Sequence, residues 1–107
     1  LRRALALTRP GGFVVYATCT FAPEENEAVI HSIWPHVAEV VKVRPPPGLM
    51  VSPGISEWAG QRFRDDVVNA WRIWPHHNNS GGFFMALLKK RGEPGPDGVG
   101  IESGVLL

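Results

Sequence analysis

The stretch that decides the fold is FVVYATCTF, residues 13–21, a run of aromatic and β-branched side chains without a charge. It lacks the strict alternation of apolar and polar residues that marks a strand with one face in water. Such a run is typical of a strand that is covered on both faces in a parallel sheet. We therefore predict a central strand over these residues.

A predicted helix precedes this strand, and a second helix and a second strand follow it. Upstream, LRRALALTR repeats apolar residues at helical spacing until Pro10-Gly11-Gly12 stops the pattern. Downstream, Pro23 suits the first position of a helix with acidic residues in its first turn. A second strand is predicted over residues 37–43, so the order is that of half a doubly wound α/β fold. The second helix has an expected buried stripe of Val29, Ile30, Ile33 and Trp34.

The remainder of the chain combines loops with short strands. Residues 48–70 are interrupted by Pro and Gly without a sustained period, which predicts a long functional or partner-facing loop. Strands are predicted over residues 71–74 and 83–88, and the turn-forming PHHNNSGG between them would permit a hairpin. Few large apolar residues and many Gly and Pro predict a disordered tail or linker over residues 92–107.

Size and composition limit the possible function classes. The 107 residues, 44% hydrophobic and 20% charged, suit one globular domain. This is well below the ~250 residues of a complete nucleotide-binding enzyme. The Gly pairs belong to no G-x-G-x-x-G or Walker pattern, so the sequence encodes no nucleotide cradle. Together with a first helix that lacks a capping residue, this predicts a fragment of an enzyme.

The distribution of charge and the single cysteine bear on the binding partners and the cellular compartment of the protein. The net charge is +1, but basic residues exceed acidic ones by four up to residue 91, whereas the remainder has three acidic residues. A single cysteine excludes an internal disulfide and favours a reducing compartment. The uncharged stretch of residues 10–23 is too short to cross a bilayer, and no signal-peptide pattern opens the chain. We expect a cytoplasmic protein without a membrane partner.

Cys19 is the first candidate for chemistry. It lies where the predicted central strand gives way to a helix, and open α/β sheets hold ligands at the carboxyl ends of their strands. The helix dipole favours its thiolate, while Glu24 and Glu25 nearby oppose it. The alternative is a small buried side chain, because cysteine is among the most buried residue types.

Three further sets of residues are candidates. Glu24, Glu25 and Asn26 could orient a catalytic group, or the acids could simply favour the helix dipole. His76 and His77 are adjacent and point apart, with no ligand at suitable spacing, so we expect no metal site. Basic residues with tryptophans between them suit contacts to RNA, although such residues are also ordinary core and strand-end residues. These RNA-contact candidates are Arg62, Arg64, Arg72, Lys89 and Lys90.

Two segments together resemble a known family. RPGGFVVYATCTFAPEENEAVI, followed later by RIWPHHNNSGGFFMALLKK, resembles the C-terminal half of the catalytic domain of NOL/NOP/Sun RNA cytosine-5 methyltransferases. The bacterial 16S ribosomal RNA type looks most similar. The resemblance covers residues 1 to about 91, which predicts a partial catalytic domain there, followed by the tail. Its specific motifs are Thr18-Cys19-Thr20, Pro23-Glu24-Glu25-Asn26-Glu27 and Gly82-Phe83-Phe84.

The resemblance implies an α/β, Rossmann-like, S-adenosylmethionine-dependent fold of which this chain holds strands five to seven. The last of these, residues 83–88, is then antiparallel and inserted between the other two. The resemblance also implies that Cys19 adds to carbon 6 of a cytosine flipped out of RNA, expected to be ribosomal. Supporting roles in the active site are implied for Thr18, Thr20, Glu24, Asn26 and His76.

The chain departs from the pattern of this family. It has neither the family's glycine-rich donor loop and acidic donor-binding residue nor its Pro-Cys motif. We therefore expect a fragment that by itself neither binds S-adenosylmethionine appreciably nor methylates RNA. Two alternatives stay open: a non-catalytic RNA-contacting module with an inert Cys19, and a cysteine hydrolase built from Cys19, His76 and Asn78.

Overall fold

A computed structural model describes residues 1–75 and 82–92, and residues 99–103 as backbone. The helices are Arg2–Leu7 (α1) and Glu27–His31 (α2), and 3₁₀ turns cover Pro23–Glu25 and Asp65–Asn69. None of the helices in these ranges is long and apolar enough to cross a membrane. The strands are Phe13–Thr18 (β1), Ala38–Val40 (β2), Ser52–Pro53 (β3), Glu57–Trp58 (β4), Gln61–Arg62 (β5), Trp71–Ile73 (β6), Phe83–Lys90 (β7) and Val99–Ser103 (β8).

Strand β7 is the centre of the main sheet. It runs antiparallel to β1 from the pair Phe13 and Lys89 to the pair Thr18 and Phe84. On its other side it pairs antiparallel with β2 towards its C-terminal end and with β6 towards its N-terminal end. β1 and β2 are therefore parallel to each other, with β7 inserted between them. This confirms the strand order that the resemblance implies.

The strands predicted from apolar runs are present with altered ends. The run over residues 13–21 forms a strand only as far as Thr18, and the run over residues 37–43 pairs only at Ala38–Val40. The predicted hairpin partners are indeed neighbours, since β6 pairs antiparallel with β7. The ends differ because backbone pairing stops where a partner strand stops, and the chemical character of the run does not show that point.

One face of β1 and β7 forms the core. The register places Val14 opposite Leu88 and Tyr16 opposite Ala86, and these side chains are buried. Residues 13, 15 and 17 of β1, which point to the other face, are only half-buried. The prediction that this strand is covered on both faces is therefore wrong for the described residues, since they cover its second face incompletely.

The helix predicted from Pro23 is interrupted. The 3₁₀ turn Pro23–Glu25 ends at Asn26, whose backbone lies outside the helical region at φ −116° and ψ −95°, before α2 begins. Ile30 and Ile33 are buried as expected, but Trp34 is 65% exposed. The placement of Trp34 in the buried stripe is wrong. Because α2 ends at His31, Trp34 lies beyond the helix, and helical spacing no longer determines the direction of its side chain.

Residues 48–70, predicted as a long loop, contain β3, the separate β4–β5 hairpin and the second 3₁₀ turn. A buried arginine ties this segment to the sheet. Arg64 makes an ion pair with Asp66, with 2.5 Å between Nε and Oδ1. Its guanidinium also donates to the carbonyls of Ile33 and Ala38, each at 2.7 Å. The segment is therefore fixed by polar contacts that apolar periodicity does not reveal.

Strand β8 pairs in parallel with the outer edge of β1, whereas the sequence predicts a disordered tail or linker over residues 92–107. That prediction is wrong over Val99–Ser103. An edge strand presents backbone N–H and C=O groups, and pairing with them requires no large apolar side chains. Residues 93–98 and 104–107 lie outside the described residues, and the division into a domain and a tail stays a prediction.

The packing of β7 gives a direct test of the core. Leu88 is fully buried and lies opposite both Val14 and Val40. We expect Leu88→Ala to lower the free energy of unfolding by about 2–5 kcal/mol, because it removes buried methyl groups and leaves a cavity. Urea denaturation followed by tryptophan fluorescence measures the loss. Leu87→Ala is the matched control, since Leu87 is only half-buried on the other face, and equal losses would contradict this assignment of faces.

Candidate active site

A turn that follows β1 presents the cysteine. β1 ends at Thr18, which is buried, and Cys19 directly after it is exposed. The chain then passes through Thr20, Phe21 and Ala22 to the first 3₁₀ turn. The alternative of a small buried side chain at Cys19 is therefore wrong. The thiol lies at the carboxyl end of a strand of the main sheet, where open α/β sheets hold ligands.

Asn26 holds the inner side of this turn. Its Nδ2 donates to the carbonyl of Thr20 at 2.8 Å, and its Oδ1 accepts the hydroxyl of Thr18 at 2.5 Å. The hydroxyl of Thr20 accepts the N–H of Ala22 at 3.1 Å. Asn26 is completely buried, and a buried amide with both ends hydrogen-bonded fixes the geometry around it. The structure thus brings together Thr18, Thr20 and Asn26 of the predicted supporting residues.

The acidic residues of the first 3₁₀ turn lie at the surface, unlike Asn26. Glu24 and Glu25 are both exposed. The backbone of Glu25 fixes this segment to the strand, because its carbonyl accepts the hydroxyl of Tyr16 at 2.8 Å. Glu24 therefore adds a surface carboxylate near the turn and takes no part in the buried network of Asn26.

A buried ion pair beneath the turn is not predicted from the sequence. Glu27 is 0% and Arg72 is 2% exposed. They form two parallel hydrogen bonds of 2.6 Å, from Nε to Oε2 and from Nη2 to Oε1. Arg72 Nη1 also donates to the carbonyl of Phe21 at 3.0 Å, and the N–H of Ile55 donates to Glu27 Oε2 at 2.8 Å. One arginine thus connects β6, α2 and the turn that carries Cys19.

One member of this pair corrects a prediction. Arg72 was expected to contact RNA, but it is buried and paired with Glu27, which lies in the first turn of α2. A signal was present in the sequence. Glu27 lies three residues before Ile30 on the buried face of the helix, and Arg72 is flanked by apolar residues in a strand, so both positions point to the interior.

The ring of Phe21 holds the outer side of the turn. It stacks on Trp74, with ring centroids 5.0 Å apart and planes inclined by 22°. It also lies so close to Gly82 that a Cβ atom there would be 2.3 Å from the ring. Backbone and side chain of Phe21 are thus both fixed against β6 and the start of β7.

The predicted RNA contacts separate into exposed and buried residues. Arg62 and Lys89 are exposed. Arg64 is buried in its ion pair and Lys90 is half-buried, with its ammonium group donating to the carbonyl at the C-cap of α1. The assignment of Arg64 and Arg72 to an RNA-contacting surface is wrong, because both guanidinium groups are buried and occupied by protein acceptors.

Two predicted site residues, His76 and Asn78, lie outside the described residues, so the supporting role and the hydrolase assembly that involve them stay predictions. Over residues 1–75, 82–92 and 99–103, no three His, Cys, Asp or Glu side chains gather into a group that could hold a metal ion.

The two grooves found on the described surface do not fit a nucleotide-like methyl donor. One, of about 310 Å³, lies between α1 and the segment after α2, and the other, of about 340 Å³, borders β3 and β6. Neither is lined by an Asp or Glu that could bind ribose hydroxyls, and neither includes Cys19. These two grooves therefore offer no acidic group for a donor and lie away from the thiol.

Comparison with protein families decides the class. The model described as 16S rRNA methyltransferase RsmB/F matches residues 1–89. The chain belongs to this family. The resemblance to NOL/NOP/Sun RNA cytosine-5 methyltransferases is thereby confirmed.

Curated relatives of this RsmB/F family chain are longer proteins. The tRNA (cytosine(49)-C(5))-methyltransferase of Pyrococcus abyssi is 37% identical over 83 residues, which are 77% of this chain and 26% of the relative. The 25S rRNA (cytosine-C(5))-methyltransferase nop2 of Schizosaccharomyces pombe is 34% identical over 89 residues, which are 78% of this chain and 14% of the relative. The chain thus spans about a quarter or less of these relatives.

Solved structures share the fold of this RsmB/F family chain. A methyltransferase homolog protein from Pyrococcus horikoshii has a TM-score of 0.73 and 30% identity, covering 83% of this chain and 28% of its own. NSun6 from Pyrococcus horikoshii, solved with SFG, has a TM-score of 0.60 and 29% identity, covering 79% and 19%. The expected partial Rossmann-like methyltransferase fold is confirmed.

The contact between Gly82 and Phe21 gives a test of the turn. We expect Gly82→Ala to lower the free energy of unfolding by about 1–3 kcal/mol, because the added methyl overpacks the site. Its Cβ would lie 2.3 Å from the Phe21 ring and 2.7 Å from the Ile73 carbonyl oxygen. Thermal unfolding measures the loss. With Phe21→Ala in addition, the combined loss should be smaller than the sum of the single losses, and simple additivity would contradict the contact.

Proposed function

We propose that this chain supplies the catalytic thiol of an S-adenosylmethionine-dependent RNA cytosine-5 methyltransferase that acts on ribosomal RNA. The observation that carries the proposal is the exposed Cys19 at the carboxyl end of β1, in a turn fixed on both sides. The family model that covers most of the chain is described by a 16S rRNA activity, which favours ribosomal RNA over the tRNA named for three relatives.

The thiol solves a specific chemical problem. Carbon 5 of cytosine is a weak nucleophile, and addition of the Cys19 thiolate to carbon 6 moves the electron pair of the ring double bond towards carbon 5. Once carbon 5 carries the methyl group, a base in the complete enzyme takes its remaining proton. The electron pair of that C–H bond re-forms the double bond between carbons 5 and 6, the bond between sulfur and carbon 6 breaks, and the thiolate leaves. The base must first leave its stack to reach the thiol. The exposed position of Cys19 suits such a flipped base.

The methyl donor belongs to other residues of the complete enzyme. S-adenosylmethionine supplies the methyl group when it is bound. NSun6, solved with the S-adenosylmethionine analogue SFG, is matched over only 19% of its chain. The two grooves described above do not fit the donor, so we assign donor binding to parts of the enzyme that this chain does not contain.

Supporting residues act on the turn or on the substrate. Thr18, Thr20 and Asn26 hold the turn through their hydrogen bonds, which keeps the thiol in place. Glu24 and His76 are assigned to the substrate side of the active site on the family resemblance.

The RNA partner would meet basic surface residues. Exposed Arg62 and Lys89 are suited to contact RNA phosphates, and half-buried Lys90 follows Lys89 in β7. A single cysteine, which excludes a disulfide within the chain, agrees with a cytoplasmic enzyme.

An RNA-contacting module without catalysis is the second candidate function. The β4–β5 hairpin favours it, because it exposes Trp58 together with Arg62. Exposed aromatic rings stack on bases, and exposed cations contact phosphate. Under this alternative, Cys19→Ala leaves both RNA binding and the biological role unchanged.

A covalent adduct tests the role of the thiol. In the complete enzyme that contains this chain, RNA with 5-fluorocytosine should form an adduct in the presence of S-adenosylmethionine, because fluorine at carbon 5 blocks the proton loss that precedes release. Denaturing electrophoresis detects the adduct. Cys19→Ser should abolish it, and RNA affinity should stay within about twofold because the side chain is small and exposed.

The outcomes separate the candidates. An adduct that survives Cys19→Ser contradicts the assignment of the nucleophile. Absence of an adduct in the unaltered enzyme, with RNA binding intact, favours the non-catalytic module. Thermal unfolding of Cys19→Ser is the control for folding, and it should match the unaltered protein because Cys19 is exposed.

The chain alone is expected to be inactive. Isothermal titration with S-adenosylmethionine should show no binding to the 107 residues, because the described grooves lack the acidic group that ribose requires. Labelled donor and ribosomal RNA should give no methyl transfer, while the complete enzyme under the same conditions is active. Turnover by the chain alone would place a donor site within it and refute this assignment.

A further inference from the structure

We propose that Arg72, fixed by Glu27, is a positioning residue for the Cys19 thiol; this deepens the proposed function and rests on it. The guanidinium of Arg72 acts through the carbonyl of Phe21, two residues after the cysteine, at 3.0 Å. Through this contact β6 and α2 set the course of the turn that begins where β1 ends.

The geometry of the pair requires an arginine. Nε and Nη2 hold the two carboxylate oxygens of Glu27, each at 2.6 Å, and Nη1 is left to donate to Phe21. The planar guanidinium offers this fork, whereas the ammonium of a lysine is a single point of charge at the end of a flexible chain. A lysine could keep the charge near Glu27 but could not hold both oxygens and the carbonyl.

The burial of the pair argues for a role beyond stability. The side chains are 3% and 0% exposed, so both charges are removed from water. Removing two charges from water is costly, and an apolar pair of similar volume is often as stable or more stable. An apolar pair could reproduce neither the acceptor for the N–H of Ile55 nor the donor for the carbonyl of Phe21. The contact with the cysteine turn is the hydrogen bond to Phe21. This bond connects the pair to the turn.

Two hydrogen bonds anchor the turn at the residues that follow the cysteine. Asn26 holds the carbonyl of Thr20, and Arg72 holds the carbonyl of Phe21. If the second hydrogen bond is lost, only the packing of the Phe21 ring against Trp74 and Gly82 holds the outer side of the turn, and Sγ occupies a wider range of positions. Addition to carbon 6 requires the reacting atoms within about 3–3.5 Å, so the covalent step slows while RNA binding is unaffected.

The chain offers a matched control in Arg64. This arginine is also buried, is also paired with a carboxylate, and also donates to backbone carbonyls. Those carbonyls belong to Ile33 and Ala38, away from the cysteine turn. Arg64→Lys therefore disturbs a buried arginine of the same kind without touching the turn.

Amide hydrogen exchange in this chain is the first measurement. The N–H of Ala22 donates to Thr20 Oγ1 and so reports the order of the turn, while the N–H of Ile55 reports the position of Glu27. Arg72→Lys should speed exchange at Ala22 by about tenfold or more relative to Val14 in β1, because local opening becomes easier. Arg64→Lys should leave that ratio within about twofold.

Adduct formation in the complete enzyme is the second measurement. With 5-fluorocytosine RNA in a single turnover, Arg72→Lys should lower the rate constant of adduct formation at least about tenfold, with the dissociation constant for RNA within about twofold. Glu27→Gln should fall between the unaltered enzyme and Arg72→Lys, since the amide keeps one acceptor oxygen but loses the charge. Arg64→Lys should change neither quantity at a temperature where all variants are folded.

Each outcome decides a different point. The positioning role is overturned if Arg72→Lys changes neither readout, or if Arg64→Lys changes both equally. If the unaltered enzyme forms no adduct, the proposed function fails, and the exchange ratio at Ala22 still decides whether Arg72 fixes the turn. Should Arg72→Lys not fold, the double variant Arg72→Met with Glu27→Leu replaces the pair by apolar groups. Its expected result is the same, because Phe21 again has no donor.

Discussion

The pairing of β1 with β7 is the constraint on which the rest of the structure depends. The ladder begins where Phe13 lies opposite Lys89 and ends where Thr18 lies opposite Phe84. Cys19 is the first residue beyond it. The backbone pairing therefore determines where β1 ends, and the end of β1 determines the position of the thiol. The core on one face of the same two strands fixes their direction, so the end of β1 cannot shift without moving Val14 and Leu88 out of register.

Buried polar groups fix the relative positions of elements that apolar packing alone does not determine. Short elements such as α2 and β6 bury little surface by themselves, and their relative positions are set by charged hydrogen bonds. Arg64 ties residues 64–66 to β2, and Arg72 ties β6 to α2. In both cases one guanidinium donates hydrogen bonds to a carboxylate and to at least one backbone carbonyl. This is an arrangement in which the number of donors matters as much as the charge.

The sequence alone predicts the strands and the place of the cysteine, for a physical reason. Uncharged runs such as residues 13–21 have few alternatives to burial in a sheet, and their order suggests the α/β class. The inserted antiparallel strand followed from the family resemblance, because periodicity carries no information about direction. The helix ends were mispredicted, since the side chain of Asn26 competes for backbone partners and breaks the helix. Arg72 was mispredicted because a charge suggests the surface until its partner, 45 residues away, is known.

The parallel strand β8 has a consequence for any longer chain of which these residues form a part. One edge of β1 accepts one strand at a time, because each backbone N–H and C=O there can pair only once. A segment from elsewhere in an enzyme that ran in the same direction along β1 would have to displace Val99–Ser103. The two arrangements exclude each other, so this edge of β1 pairs either with Val99–Ser103 or with another strand.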